Sequence, residues 1–190
     1  MVFYLEKLIF KRFPILKALK DWDTYTYKHS LNVQQLSLLL GIRASFTENE
    51  LKQLGHGALL HDIGKLEIPH SILLKPGVLT DEERAEIQTH PERGYSLVDV
   101  EGLSTESRTI ILQHHENWDG SGYPNGVMKH EIHPFSQIVS VADVYEALIA
   151  WRVYAKPKTA SEAIEIIAGL AGKKFNPEII KLLCSTKTTL

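Results

Sequence analysis

Two stretches of this 190-residue chain concentrate side chains that do chemistry: His61-Asp62-Ile63-Gly64-Lys65, and the run from His114-His115-Glu116 through Asp119-Gly120-Ser121-Gly122-Tyr123-Pro124. Histidines, carboxylates, a lysine and glycines at this density are too polar to serve packing alone. His29, His90 and Asp143 extend the set, and neutral imidazoles with carboxylates are ligands for divalent first-row metals. Adjacent His61 and Asp62 at one helix end would address a two-metal site, since a carboxylate has two oxygens and gives one to each metal. Two cations about 3.5–4 Å apart acidify a shared water to hydroxide and offset the charge that builds on phosphorus during in-line attack. Spacing alone leaves alternatives open: His114-His115 reads equally as a helix cap and a surface pair.

The chain length fits one domain with a short appendage. A formal charge of −2 supplies no general attraction to a nucleic acid polymer, so an anionic partner would have to be held locally. Cys184 is the lone cysteine, which excludes a disulfide framework or a cysteine metal site and suits a reducing cytoplasm. Met1 to Lys20 mixes apolar residues with six charged ones and offers no signal-peptide cleavage site. No apolar stretch is long enough to span a bilayer, and a cytoplasmic location is expected. Phe3, Leu5, Leu8, Ile9, Phe10, Phe13, Leu16 and Leu19 form an amphipathic pattern broken at Pro14. Residues 1–22 are read as an N-terminal helical segment that packs against the body or against a second subunit as a homodimer contact. The alternative is a membrane-surface or linker role.

Helical periodicity runs through the rest, which predicts an all-α domain over 23–190. A helix is expected from Asp23 or Thr24 through His29 to Leu40, stopped by Gly41. Thr47 with Glu50, and Thr80 with Glu83, have capping-box spacing. The first of these opens a helix that delivers His61 and Asp62 near its end. Pro91 suits a first helical position, further helices are expected over Glu106 to His114 and after Pro134, and Asn117 to Pro134 reads as an ordered loop. The final helices are placed near Ser161 and at Asn176-Pro177.

With Tyr27-Lys28-His29-Ser30, Leu73-Leu74-Lys75-Pro76-Gly77, Thr89-His90-Pro91-Glu92 and Val141-Ala142-Asp143-Val144-Tyr145-Glu146-Ala147 added in order, the motif set from about residue 23 to residue 183 resembles the HD-GYP domain. That is a branch of the HD phosphohydrolase superfamily whose characterised members hydrolyse cyclic di-GMP. The resemblance implies an HD-domain helical bundle and a metal-dependent phosphodiesterase. It would open cyclic di-GMP to the linear dinucleotide or GMP by attack of a metal-bridging hydroxide. Carried over by position, it implies that His29, His61, Asp62 and Asp143 hold one divalent metal and that His90, His114 and His115 hold a second, with Asp62 bridging. Iron or manganese is expected, and nickel or zinc also suits the donor set. Lys65 would contact the scissile phosphate or help protonate the leaving oxygen; its plain alternative is a cation at a helix C-terminus. Gly120 and Gly122 permit tight backbone turns. The loop is linked in the family to substrate and protein partner contacts, with Tyr123 either stacking on substrate or packing.

The chain departs from the family pattern at three places. Some members hold a third metal with a glutamate one turn before the first histidine, where this chain has Tyr25; two metals are therefore expected. The usual Asp-Arg-Pro-Tyr-Arg is Trp151-Arg152-Val153-Tyr154-Ala155 here. Arg152 remains a candidate phosphate clamp, and Lys156 could compensate for the arginine missing at Ala155. Asn176 replaces a common aspartate and caps equally well. Two alternatives follow from the same residues: action on another nucleotide, and a binding or scaffold module that has lost turnover.

Overall fold

The computed structural model describes residues 2–98, 102–151 and 156–185, with side chains from Glu6 onward. The described residues form an all-α bundle with no extended strand. In chain order the helices are α1 Val2–Arg12, α2 Pro14–Trp22, α3 Thr24–Arg43, α4 Glu48–Leu60, α5 His70–Leu73, α6 Asp81–Ile87, α7 His90–Leu97, α8 Thr105–Gln113, α9 Pro134–Ile149, α10 Ala160–Ala168 and α11 Pro177–Cys184. Short 3₁₀ turns occupy Ile63–Glu67 and Lys129–Glu131. Arg152 and Ala155 lie outside the described residues.

Helix starts follow local chemistry. The Asp23 carboxylate accepts from the N–H groups of Tyr25 and Thr26 at the head of α3. Reciprocal capping boxes join Thr47 to Glu50, Thr80 to Glu83 and Thr159 to Glu162, each satisfying N–H groups that no helical carbonyl reaches. Proline stands in the first turn of α2, α7, α9 and α11, where its missing N–H costs nothing. Gly41 does not end α3, contrary to the expectation from sequence. The helix runs on to Arg43, and Ser45 makes the turn with φ of 60°. Gly41 instead admits α4, since a Cβ there would lie 2.7 Å from Leu54 Cδ2 and 2.9 Å from Leu51 Cδ2.

α4 is the spine. Its Leu54 and Ala58 belong to a large apolar cluster with Val33, Leu40, Ile138, Val141, Ile164 and Ile180, among others from α3, α9, α10 and α11. Leu59 and Leu60, one register on, face a second cluster with Phe13, Leu16, Leu19, Val98 and Ile111. α8 is split in the same way between Ile110 and Ile111. His61 and Asp62 therefore emerge at the seam of two dry clusters. α2 closes the second cluster, with Leu16 and Leu19 fully buried. Glu6 on α1 accepts from Lys20 Nζ at 2.6 Å and from the Tyr27 hydroxyl at 3.2 Å, tying α1 to both α2 and α3. Burial, with the Glu6 charge beside it, pushes the Tyr27 phenol up to about 12.

Because Leu19 has no exposed surface while Leu8 on α1 is 47% exposed, urea unfolding should separate them. Leu19→Ala should lose about 2–5 kcal/mol, whereas Leu8→Ala should stay within about 0.5 kcal/mol of the parent.

Candidate metal centre

Three helix ends and two helix interiors meet at the seam. His61 caps the C-terminus of α4, and Asp62 leads into the 3₁₀ turn. His90 is the first residue of α7, and His114 is the C-cap of α8 with His115 next in the chain. His29 projects from the second turn of α3 and Asp143 from α9. Glycine makes the convergence possible. A Cβ on Gly64 would collide with the His90 carbonyl oxygen and Gly94 N, so α7 reaches the 3₁₀ turn only because position 64 has no side chain.

Asp62, 1% exposed, stands at the centre with its two oxygens turned in different directions. Oδ2 lies 3.3 Å from His61 Nε2, 3.7 Å from His29 Nε2 and 2.6 Å from Lys65 Nζ. Oδ1 lies 3.3 Å from His90 Nε2 and 4.0 Å from His114 Nε2. His29 Nε2 is also 3.0 Å from Asp143 Oδ1. Two groups of possible ligand atoms, each mutually within 4.8 Å, result among the described residues: Asp62, His90, His114 and His115, and beside it His29, His61 and Asp143.

The imidazoles are aimed by their other ring nitrogen. Nδ1 of His61, His90 and His114 each meets the backbone carbonyl three residues earlier, of Ala58, Ile87 and Ile111, at 2.8, 2.7 and 2.9 Å. With Nδ1–H donating there, Nε2 presents a lone pair toward Asp62. His29 differs: its Nδ1 meets Glu146 Oε2 at 2.5 Å, and Asn32 Nδ2 donates to Glu146 Oε1 at 3.0 Å. His61 Nε2 and Asp62 Oδ1 are buried with no hydrogen-bond partner, a costly condition that a cation beside each of them would relieve. The donor set thus fits divalent metal.

Charge is sorted across the cluster. Burial pulls His90 down to about 4 and His115 to about 3, and holds His114 well below the ordinary histidine range, so all three rings are neutral at physiological pH, the form that can bind a metal. Burial also opposes charge on His29, yet hydrogen bonds with Asp143 and Glu146 outweigh it and raise this histidine to about 9. Burial alone would favour the protonated forms of Asp62 and Asp143. The Lys65 ammonium and His61 beside Asp62, and the His29 hydrogen bond to Asp143, nevertheless hold both below the usual carboxylate range.

The loop after His115 is built on Glu116, 2% exposed. Its Oε1 accepts from Asn125 N at 2.7 Å, and burial raises this carboxyl above its ordinary range. Tyr123 N donates to the His115 carbonyl at 3.2 Å, and the Tyr123 ring stacks on His115 with centroids 4.8 Å apart at 27°. A Cβ on Gly122 would strike Asn117 N, Glu116 Cα and the His115 carbonyl. Gly120 takes φ of 83°, and the Tyr123-Pro124 bond is cis. Trp118 N and Asp119 N donate to the carbonyls of Lys174 and Lys173, anchoring the loop ahead of α11.

A cavity of about 370 Å³ opens over the cluster, lined by Asp23, Tyr25, Thr26, Lys65, His115 and Asp143 together with neighbouring atoms. Of the residues singled out from sequence, the structure gathers His29, His61, Asp62, Lys65, His90, His114, His115 and Asp143, with Tyr123 against His115. Lys156 is exposed and does not line this cavity. Sequence reasoning gave no role to Glu146 or Asn32. A sign was available: Glu146 is a second acid one turn after Asp143 on an otherwise uncharged helix.

Comparison with known proteins agrees with this arrangement. The HD domain model matches residues 5–179. A cyclic di-GMP phosphodiesterase of Thermotoga maritima is 37% identical over 93% of this chain and 49% of its own length. A 3′3′-cGAMP-specific phosphodiesterase of Vibrio cholerae is 34% identical over 86% of this chain and 31% of its own. The chain thus spans about half or less of the length of these curated relatives. Among solved structures, an HDG"Y"P protein from Bdellovibrio bacteriovorus superposes with a TM-score of 0.70 at 26% identity, covering 85% of this chain and 52% of that one. With its ordered motifs folded around one buried carboxylate, the chain belongs to the HD domain family, in the HD-GYP branch.

Proposed function

We propose that this chain is a metal-dependent phosphodiesterase that opens cyclic di-GMP, with His29, His61, Asp62 and Asp143 holding one divalent cation and His90, His114 and His115 the other. The observation that carries the proposal is the placement of Asp62. Each oxygen of a buried carboxylate faces a different set of imidazoles, as a bridge between two cations requires. The relatives named for hydrolysis of cyclic di-GMP and of 3′3′-cGAMP support the reaction class. Iron or manganese is the metal we assign from the mixed nitrogen and oxygen donors.

Two bound cations would supply an acidified water as nucleophile and neutralise charge on the phosphorus oxygens. The chain's own residues do the rest. His61, His90 and His114 arrive pre-aimed by their carbonyl partners, so little reorganisation accompanies binding. Glu146 fixes the His29 ring and keeps its Nε2 on the Asp62–Asp143 side. Lys65 lines the cavity with its ammonium 2.6 Å from Asp62. There it would bind a nonbridging phosphate oxygen or deliver a proton to the departing 3′ oxygen. His115 lines the cavity, and Tyr123 stacked against it holds that ring in place.

Protein purified without air should contain two equivalents of transition metal and convert cyclic di-GMP to a linear product resolved by chromatography. His61→Ala should lose metal and turnover together. Tight binding of cyclic di-GMP by metal-loaded parent protein without any product would replace this reading with a binding module. Lys65→Ala should keep its metal while kcat falls about 100-fold or more; an unchanged kcat removes its role. Glu146→Gln should weaken metal binding by about 10–100-fold in competition with a chelator while leaving the fold's circular dichroism intact.

A further inference from the structure

Beneath the loop that follows His115 lies a small cavity of about 10 Å³, bounded by that loop, α9 and the approach to α11. Glu116 lines it from the loop, Gln137 and Ser140 from α9, and Lys174 and Asn176 from the segment ahead of α11. The Glu116, Gln137 and Ser140 side chains are all buried. Glu116 Oε1 is engaged by Asn125 N, but Oε2 is buried with no hydrogen-bond partner. The neighbouring amides are fixed in orientation. Gln137 Nε2 donates to the Ile132 carbonyl at 2.7 Å, and its Oε1 accepts from Asn176 Nδ2 at 2.8 Å. Asn176 Oδ1 accepts from Glu178 N at 3.0 Å. Each amide oxygen keeps a second lone pair. Lys174 is the other charged residue on the wall. Its ammonium sits over the Phe175 ring, 5.8 Å from the centroid, and leaves Oε2 unpartnered.

We propose that this cavity is a site for a single dehydrated alkali cation, sodium or potassium, held by Glu116 Oε2 with the Ser140 hydroxyl and the amide oxygens of Gln137 and Asn176. Charge carries the inference first, because a buried carboxylate is costly unless it is paired or coordinates a metal. One carboxylate among neutral oxygens balances one positive charge. Calcium sites gather more ligands and more carboxylates, and magnesium keeps several of its waters. Transition metals call for the imidazole or thiolate that this wall lacks. Size carries it second: the space is about that of one water molecule, too small for a hydrated ion or an organic cation. None of these donors belongs to the two ligand groups of the metal cluster, so the site is separate from that centre and independent of the phosphodiesterase reading. Its consequence is mechanical. The cation would join the loop to α9 and α11 beside the place where Trp118 N and Asp119 N donate to the Lys174 and Lys173 carbonyls.

The test follows thermal unfolding of the full metal-loaded chain in choline, sodium and potassium chlorides at equal ionic strength. One alkali cation should raise the midpoint over choline by about 3 °C or more, with saturation. A midpoint that is the same in all three salts overturns the site. Ser140→Ala, which removes one neutral donor, should raise the half-saturating concentration about tenfold, and Glu116→Gln should abolish the dependence. An unchanged half-saturating concentration in Ser140→Ala overturns the assignment even if Glu116→Gln fails to fold. Crystals grown with rubidium or thallium(I) in place of the alkali cation should show one anomalous peak beside Glu116. A water there without anomalous signal, or the Lys174 ammonium turned in to pair with Oε2, overturns it.

Discussion

A carboxylate without exposure to water is the constraint from which the rest of this fold follows. Desolvating an ion of this kind costs several kcal/mol unless charge and hydrogen bonds are restored around it. Asp62 meets that demand with Lys65 on one side, His29 and His61 beside it, and His90 and His114 beyond its other oxygen. Apart from His61 and Lys65, its neighbours in sequence, these partners come from separate stretches of chain, so the ends of α4, α7 and α8 must arrive together with α3. The glycine at 64 and the split apolar faces of α4 and α8 are the means by which they do.

Placing this polar knot between two apolar clusters has an energetic logic. Each cluster is closed by aliphatic side chains with almost no exposure, which keeps water away from the knot on two sides and strengthens electrostatic interactions inside it. The remaining side is the cavity, where Asp23, Tyr25 and Thr26 at the head of α3 face Lys65. The same capping that starts α3 at Asp23 therefore shapes the mouth. A helix start, ordinarily a matter of stability alone, here also sets the geometry of access.

What was legible in the sequence was what short-range chemistry decides. Capping boxes at Thr47 and Thr80, prolines in first turns, and the helix end carrying His61 and Asp62 all depend on neighbours within four residues. The eight polar residues around the cavity were legible for another reason, since their types are wasteful anywhere but at a metal or an ion. Gly41 was misread because a glycine that ends a helix and one that lets two helices touch look the same until the second helix is in place. Glu146 went without a role because its meaning lies in His29, 117 residues away, and no local pattern records that pairing. Tyr25 and Trp151 stood out as departures, but the cavity that both of them line exists only after α3 packs on α9.

The hydrogen bonds at Nδ1 divide four of the five clustered imidazoles into two kinds. For His61, His90 and His114 the orienting carbonyl belongs to the same few residues of chain, so each ring is steered by its own backbone and would hold its bearing on almost any scaffold that preserved the helix end. His29 is steered from another helix altogether. Three of the rings are thus self-indexed parts, and the fourth is a latch: only docking of α9 onto α3 commissions the centre, and a partially assembled chain would carry the fittings without the instrument.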